Sequence, residues 1–593
     1  MLRIAIAQMR PEKTAYRDNL NRLGALFREV GAWPEPPELV IGPESALTGY
    51  FLEGGVRELA LTADQLFQDL ASIHQASGAP PFDIALGFYE VRRNQLYNSA
   101  LYASLGGPDA GVRHVHRKIF LPTYGVFDEE RFVEPGSSVQ AFDTRWGRAA
   151  LLICEDAWHS LTPTIAATDG AQLIIIPSAT PARGIGPGNG EPRPANLDRW
   201  ERLARSIAEE HGVYVVVAHL VGFEGGKGFV GGSVLAGPRG ELLAEGPLFQ
   251  PATIAATLDF DEITRARADQ PLLSDLQSRL PHLLESWRSN GSSTGEQPEL
   301  PERRSGPRST GKRAPIKPSM AADPLAIDPE LTRRWLVEFL RDEVLRNRKF
   351  ENVVIGLSGG VDSSLVAYLA AEALGPEHVI GVRMPYRSSS PDSLAHAQLI
   401  IDALGIRSRT IDISAGVDGI AGAIDPVIPP GRLGNIMARM RMITLFDLSA
   451  EVRGLPLGTG NKTERLLGYF TWHADDSPPV NSIGDLFKTQ VWELAKYVGV
   501  PDVIVSKPAS ADLITGQTDE GDFGISYPKA DHILHWLLLG YRPEEIQAAG
   551  FTAEEIGVVQ TRLESTHWKR RLPTVAMLSQ TAIGEYYLRP VDY

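Results

Sequence analysis

Two sets of residues have the types and spacing that chemistry requires. The first is the run Ser358-Gly359-Gly360-Val361-Asp362-Ser363-Ser364, which follows a short β-branched stretch at 353–357 and precedes a helix-forming stretch at 365–375. A buried strand, a glycine turn and a helix start together aim backbone N–H groups and the positive end of a helix at an anion. The Ser358 hydroxyl adds a hydrogen bond, and Asp362 is of the type that holds a magnesium ion bridging phosphate oxygens. A lone Gly-Gly would be an ordinary corner. The full string is far more specific, and it has neither the lysine of a Walker loop nor the spacing of a dinucleotide fingerprint. The second set is a carboxylate, an ammonium and a thiol: Glu44, Lys118 and Cys154. If they converge, Glu44 can take the thiol proton, Lys118 can stabilise the thiolate and the oxyanion of a tetrahedral intermediate, and Glu44 can pass its proton to departing ammonia. Taken singly, each has an ordinary explanation: a loop carboxylate, a solvated charge and a small buried hydrophobe.

The elements that must position these groups are legible in outline. In the first half, strands are expected at 2–8, 38–42, 84–89, 99–103, 149–154, 173–177 and 213–218, with a helix near 19–30. Strands alternating with helices suggest α/β layers, and strand ends are where loop-borne chemistry collects. Glu44 follows the second strand, Lys118 lies in His116-Arg117-Lys118-Ile119-Phe120-Leu121-Pro122, and Cys154 ends the strand 149–154. In the second half a helical segment at 331–347 leads into the glycine loop. Strands are expected at 379–384 and 409–413, separated by a helical run at 390–404. That repeated pattern argues for a doubly wound parallel sheet with its ligand crevice at the carboxyl ends of the strands.

At 593 residues the chain exceeds what one core usually reaches, so two or more domains are expected. Residues 289–320 are dense in Ser, Gly, Pro and charge and contain no aromatic residue, so they read as a flexible crossing, with the basic cluster 303–313 solvated. The expected division is 1–265, a helical tail and linker at 266–323, and 324–593. A formal charge of −15 argues against non-specific nucleic-acid binding. No apolar window reaches the ~18 residues of a membrane helix, and residues 1–9 lack a signal-peptide pattern. A cytoplasmic protein with neither nucleic-acid nor membrane partners is expected. Cys154 is the single cysteine, which excludes an intrachain disulfide or a cysteine metal cluster within one chain.

Three stretches of the first half carry a family resemblance: Pro43-Glu44-Ser45-Ala46-Leu47-Thr48-Gly49-Tyr50, the run 117–132 around Lys118, and Leu151-Leu152-Ile153-Cys154-Glu155-Asp156-Ala157-Trp158-His159. Together they resemble the nitrilase (carbon–nitrogen hydrolase) family over roughly residues 2–260, and Phe229-Val230-Gly231-Gly232-Ser233 and Pro238-Arg239-Gly240 are similar to that family's late strands. The resemblance implies a four-layer α-β-β-α sandwich and a catalytic set of Glu44, Lys118 and Cys154. From the glutamine-hydrolysing members it implies that Tyr124 and Glu155 help hold glutamine. Thr180-Pro181 stands where that pocket has Ser-Pro. A Gly/Pro-rich stretch, 183–194, follows.

The Ser358–Ser364 string resembles the pyrophosphate-binding loop of the ATP pyrophosphatases, enzymes that adenylate a substrate. Its sequel is Gly434 to Met442, Leu457-Gly458-Thr459-Gly460-Asn461-Lys462-Thr463-Glu464, Gly468-Tyr469-Phe470-Thr471, Phe487-Lys488-Thr489, Lys507 to Leu513, Thr518-Asp519-Glu520 and Lys569-Arg570-Arg571. That order resembles the NAD synthetase family over about residues 325–575 and implies an adenine nucleotide α-hydrolase-like domain. It further implies that Gly356, Leu357, Ser358, Gly359, Gly360, Val361, Asp362, Ser363, Thr459, Lys488 and Ser510 bind ATP as co-substrate. Asp362 and Glu464 would bind Mg2+, and Arg439, Glu464 and Lys569 would contact deamido-NAD. The chain departs from the pattern at Trp472, often a lysine, at Ala474-Asp475, a Gly-Asp pair, and at Trp568, a histidine. A homo-oligomer is also implied.

The two halves explain each other. Taken together, the two resemblances imply that ammonia released from L-glutamine would be consumed at an acyl-adenylate of deamido-NAD, giving NAD, AMP and pyrophosphate, and a sheltered passage for ammonia is expected because ammonium is a poor nucleophile. Another glutamine-fed ATP pyrophosphatase fits less well: GMP synthetase hydrolyses glutamine with a Cys-His-Glu set, and asparagine synthetase needs an N-terminal cysteine where this chain begins Met1-Leu2. A more distinct alternative is a standalone amidase with a regulatory nucleotide-binding domain, and the presence of both Asp362 and Glu464 speaks against it.

Overall fold

In β1 (Leu2–Gln8), Leu2, Ile4 and Ile6 enter one core while Ala5 and Ala7 enter another, so period-two alternation buries both faces of the strand. β1 lies in a six-stranded sheet with β2 (Leu39–Ile41), β3 (Phe82–Arg92), β4 (Gln95–Leu105), β5 (Gly111–Arg117) and the late β14 (Ala252–Leu258), in the order β14-β1-β2-β3-β4-β5. A second six-stranded sheet has β6 (Ala141–Thr144), β7 (Gly147–Leu151), β8 (Leu173–Ser178), β9 (Tyr214–His219), β12 (Val234–Ala236) and β13 (Leu242–Glu245), ordered β13-β12-β9-β8-β7-β6. The hairpin β10 (Val221–Glu224) and β11 (Lys227–Val230) stands apart.

The two sheets share a core of Ile4, Ile6, Ile41 and Tyr102 from one and Leu151, Ile174, Val216 and Leu235 from the other. On the far side of the first sheet, Leu20, Leu23 and Phe27 of helix Tyr16–Gly31 pack with Leu66 and Leu70 of helix Ala63–Ser77. On the far side of the second, Trp200, Ala204 and Ile207 of helix Ala195–His211 do the same. The result is the four-layer α-β-β-α sandwich.

The computed structural model describes residues 1–52, 55–188, 192–292, 323–425, 427–510, 518–571 and 576. The expected crossing 289–320 is described only to 292, and its basic cluster 303–313 and the motif residues Ala511-Asp512-Leu513 lie outside the described residues. Among those described, residues up to 184 and from 195 to 292 form one compact unit. Those from 323 onward, with 185–188 and 192–194, form another.

The second unit is built on four parallel strands, β15 (Asn352–Gly356), β16 (Val379–Arg383), β17 (Arg407–Thr410) and β18 (Gly454–Pro456), in the order β17-β16-β15-β18. Both faces are covered, which is what a parallel sheet requires. Val353 and Ile355 pack with Leu365, Val366 and Leu369 of helix Val361–Leu374, while Val354, Ile380 and Val382 pack with Met437 and Leu448 of helix Pro430–Glu451. The strand order reverses between β15 and β18, so the crevice for a ligand opens beyond their carboxyl ends.

Three local expectations differ from the structure. The helix expected over 331–347 is α-helical only over Pro329–Leu340 and continues as a π turn, Arg341–Asn347, where Glu343 pairs with Arg348 five residues on, the repeat of that turn. The strand expected at 409–413 is β17 two to three residues earlier; it is an edge strand with all four residues exposed, so no apolar alternation marks its ends. Finally, the strand leading to Cys154 stops at Leu151, and Cys154 opens a tight turn, Cys154–Trp158, with φ of 45°. A side chain in the left-handed region is strained, and such positions collect where a reactive group must be turned out of a strand.

Candidate active sites

In the first unit the three sequence-selected groups meet. Lys118 Nζ donates to Glu44 Oε1 at 2.8 Å, and both side chains are fully buried. Glu44 is fixed from both sides: Asn98 Nδ2 donates to Oε1 at 2.7 Å and the Ala179 N–H to Oε2 at 2.7 Å. Its backbone rests against β3 so closely that a Cβ on Gly87 would lie 2.5 Å from Glu44 Cα. The Cys154 thiol lies 3.5 Å from Ser178 Oγ and 3.6 Å from Thr180 Oγ1.

Burial and the neighbouring Glu44 charge push the Cys154 thiol up to about 12, opposed by Lys118 and by the Ser178 and Thr180 hydroxyls. At rest the sulfur therefore keeps its proton, and a base must remove it as the sulfur attacks. Burial works against the Lys118 ammonium, yet Glu129 and Glu44 outweigh it and hold the pKa well above the ordinary lysine value. Lys118 is thus a permanent cation facing the thiol.

Sequence reasoning passed over Glu129, Asn98 and Asp156. Glu129 Oε2 lies 2.8 Å from Lys118 Nζ, and Asn98 Nδ2 bridges to Glu129 Oε1 at 2.8 Å, so the ammonium is shared by two carboxylates. Asp156 accepts from the backbone N–H groups of Ile119 (2.9 Å), Phe120 (3.0 Å) and Ile153 (3.1 Å) and lies 2.9 Å from His116 Nε2, tying the residues after Lys118 to the one before Cys154. At the mouth, Tyr124 OH donates to Glu155 Oε2 at 2.8 Å. The Pro181 carbonyl accepts from Asn196 at 2.9 Å, which fixes the Thr180-Pro181 segment.

In the second unit a cavity of about 460 Å³ opens beyond β15 and β18. Gly356, Leu357, Ser358, Gly360, Val361, Asp362 and Ser363 line it, as do Thr459, Glu464, Lys488 and Ser510. Gly359 turns the loop at φ 73°, and a Cβ there would run into the Ser393 carbonyl oxygen, so only glycine fits. Ser364 Oγ donates to the Gly360 carbonyl at 2.8 Å, and Ser358 and Ser363 hydroxyls lie 3.2 Å apart.

Lys488 Nζ contacts Asp362 Oδ2 and lies 3.6 Å from Glu464 Oε1. Burial opposes its charge, but Asp362 and Glu464 hold its pKa above the ordinary lysine value. Burial and the Asp362 charge push the Glu464 carboxyl up to about 8. Asn461, also missed, donates to Asp362 Oδ1 at 2.9 Å and caps the helix Lys462–Leu467 that carries Glu464. Asp531 joins the two helices that bring these groups in, accepting from Thr463 Oγ1 at 2.5 Å and from Thr489 Oγ1 at 2.8 Å. Two carboxylates crowded on one cavity suit a divalent cation completed by phosphate oxygens.

Arg439 and Lys569 do not line this cavity. Arg439 donates to the Trp472 carbonyl at 3.1 Å, and Lys569 Nζ donates to the Gly468 and Phe470 carbonyls, both at 2.7 Å. Arg441, two residues along the same helix, lines the cavity instead. The departures Trp472 and Trp568 meet each other edge to face, with ring centroids 5.2 Å apart.

Comparison with known proteins agrees with both halves. The carbon–nitrogen hydrolase family matches residues 3–268, and the NAD synthase family matches residues 333–573. The chain is 30% identical to the glutamine-dependent NAD(+) synthetase of Thermotoga maritima, covering all of this chain and 98% of that one. It is 46% identical to the NH(3)-dependent NAD(+) synthetase of Trichlorobacter lovleyi over 45% of this chain and 98% of the relative. A solved glutamine-dependent NAD+ synthetase from Acinetobacter baumannii, in complex with ADP, shares the fold with a TM-score of 0.69 at 23% identity, covering 100% of this chain and 98% of that one.

Proposed function

The chain belongs to the glutamine-dependent NAD(+) synthetases, and from that premise we propose how its residues divide the work. The domains are taken as 1–265 for amide hydrolysis, 266–323 as the connection, and 324–593 for the ligase.

In the first, Glu44 accepts the Cys154 proton as the sulfur attacks the side-chain amide carbon of glutamine. Lys118 faces the charge that develops on sulfur and oxygen. Glu44 returns the proton to the departing nitrogen, and water then cleaves the thioester to glutamate. Tyr124, Glu155, Thr180 and Pro181 shape the glutamine pocket.

In the second, the Ser358–Ser363 loop cradles the ATP phosphates with backbone N–H groups and hydroxyls, and Lys488 places a fixed positive charge beside them. The carboxylate of deamido-NAD attacks the α-phosphorus, pyrophosphate leaves, and ammonia then displaces AMP from the acyl-adenylate. Asp362 and Glu464 would hold a magnesium ion, which when bound offsets the charge that builds on the leaving pyrophosphate. Arg439, Glu464 and Lys569 serve the dinucleotide side, for Lys569 by fixing the Gly468–Phe470 carbonyls.

Exposed Ile420, Ile424, Ile443 and Phe446 on neighbouring helices support a homo-oligomer formed through the ligase domain. No helix among the described residues is long and apolar enough to cross a membrane, and a cytoplasmic location fits the substrates.

The observation that carries this reading is the cavity wall on which Asp362, Glu464 and Lys488 converge beyond a Ser-Gly-Gly turn: a regulatory nucleotide site has no need of it. The test is pyrophosphate release from ATP with ammonium, with and without deamido-NAD. Release that depends on deamido-NAD, one pyrophosphate per NAD, is expected. Amide hydrolysis without any deamido-NAD-dependent pyrophosphate would favour an amidase with a regulatory domain.

A further inference from the structure

Among the described residues three cationic side chains line the ligase cavity, Arg441, Lys488 and Lys507, and they are held differently. Lys488 contacts Asp362 and lies 3.6 Å from Glu464, so two carboxylates already meet its charge. Arg441 Nε donates to the Met384 carbonyl at 3.3 Å, beyond the end of β16. Lys507 Nζ donates to Ser393 Oγ at 3.1 Å, and among the described residues no carboxylate pairs with it. Its charge therefore stands uncompensated at the cavity wall.

Ser393 sets where that charge sits. It is buried in the first turn of helix Pro391–Leu404, which follows β16. Its backbone touches the glycine loop: a Cβ at Gly359 would lie 2.2 Å from the Ser393 carbonyl oxygen and 3.0 Å from its Cα. Glu464 arrives after β18, on the other flank of β15. The glycine turn is thus flanked by Asp362, Glu464 and Lys488 toward β18 and by the Lys507 ammonium toward β16. Asp519, whose charge also acts on Lys488, lines the cavity too, so the β18 flank sets three carboxylates against one lysine. Pyrophosphate leaves with more negative charge than one divalent ion offsets, and a cation free of carboxylates beside the loop is placed to take the rest.

We propose that Lys507 is a further catalytic residue of the ligase, its ammonium binding the β- and γ-phosphate oxygens of ATP from the β16 side of the loop. In the adenylation step a carboxylate oxygen of deamido-NAD forms its bond to the α-phosphorus. The bond from that phosphorus to the oxygen bridging to the β-phosphorus breaks, and the electron pair stays on pyrophosphate, where Lys507 meets it. No proton moves. This rests on reading the Ser358–Ser363 loop as the phosphate cradle.

The test follows ammonium-driven NAD formation by the full chain and its inhibition by the products pyrophosphate and AMP, in wild type, Lys507→Met, Lys507→Arg and Ser358→Ala. Lys507→Met should lower kcat by about 100-fold, the scale of one preorganised charge, with KM for deamido-NAD unchanged. It should raise the inhibition constant of pyrophosphate by about 10- to 100-fold, the scale of one charged hydrogen bond, and leave that of AMP as it was. Lys507→Arg, which keeps the charge, should recover part of both losses. Ser358→Ala, in the loop itself, should also weaken pyrophosphate inhibition. Unchanged thermal unfolding is the control for folding. Pyrophosphate inhibition untouched in Lys507→Met but weakened in Ser358→Ala would overturn the proposal and leave the cradle standing, and so would equal weakening of AMP and pyrophosphate by Lys507→Met. Inhibition untouched in both variants would overturn the cradle and the proposal with it.

Discussion

Cys154→Ala is expected to lower glutamine-driven NAD formation by roughly 10⁴-fold or more, the scale set by removing a catalytic nucleophile, while ammonium-driven formation persists. The proposed nucleophile is the Cys154 sulfur, and the groups around it are placed to serve its attack on the amide carbon. Glu44 is held by Lys118, Asn98 and the Ala179 N–H, so it is aligned before substrate arrives. Burial and Glu44 keep the thiol protonated up to about 12, which couples its deprotonation to attack. Alanine removes the sulfur and leaves the Glu44–Lys118–Glu129 network whole, so the variant should fold. Parallel assays of NAD with glutamine and with ammonium chloride as nitrogen source give the answer. Loss of both activities in a folded variant would mean that the two chemistries do not occupy separate sites.

The converse change lies in the second domain. Asp362→Asn should lower NAD formation from either nitrogen source by roughly 100- to 1000-fold, the usual cost of removing one preorganised charge from a transition state, and should leave glutamine hydrolysis running. Asp362 contacts Lys488, accepts from Asn461 at 2.9 Å and faces the same cavity as Glu464. Asparagine keeps the shape and an Oδ1 that accepts from Asn461, but removes the charge that pairs with Lys488 and that would hold a magnesium ion. Glutamate release measured beside NAD formation separates the outcomes. Retention of NAD synthesis with ammonium would remove Asp362 from the ligase.

The two reactive sets were legible in the sequence through their surroundings and not through any one residue: the strings around Glu44, Lys118 and Cys154 taken together, and the full Ser358–Ser364 run between a strand and a helix. What escaped notice depends on local phase. Glu129 sits between Asp128 and Glu130, and nothing in that acidic run says which one faces Lys118; the short helical turn Glu129–Arg131 decides it. Arg439 and Arg441 stand about 200° apart around their helix, so only one can line the cavity, and the packing of that helix on β15 and β18 selects Arg441. Asn98, Asp156, Asn461 and Asp531 act through contacts between residues as far as 99 apart in sequence, which no spacing rule connects. The strained φ of Cys154 likewise hides in a run, Leu151 to Cys154, that is apolar enough to read as one strand.

That nitrogen cut from glutamine by one domain is the nitrogen captured by the other can be tested by isotope. Glutamine carrying ¹⁵N in its side-chain amide is supplied with deamido-NAD, ATP and an excess of unlabelled ammonium, at a concentration too low for direct use, and the mass of the nicotinamide amide in NAD is read. The expected result is enrichment in ¹⁵N well above that of the bulk ammonium, and none with Cys154→Ala. NAD whose nitrogen matches the bulk pool while glutamate accumulates from the wild-type chain would contradict it.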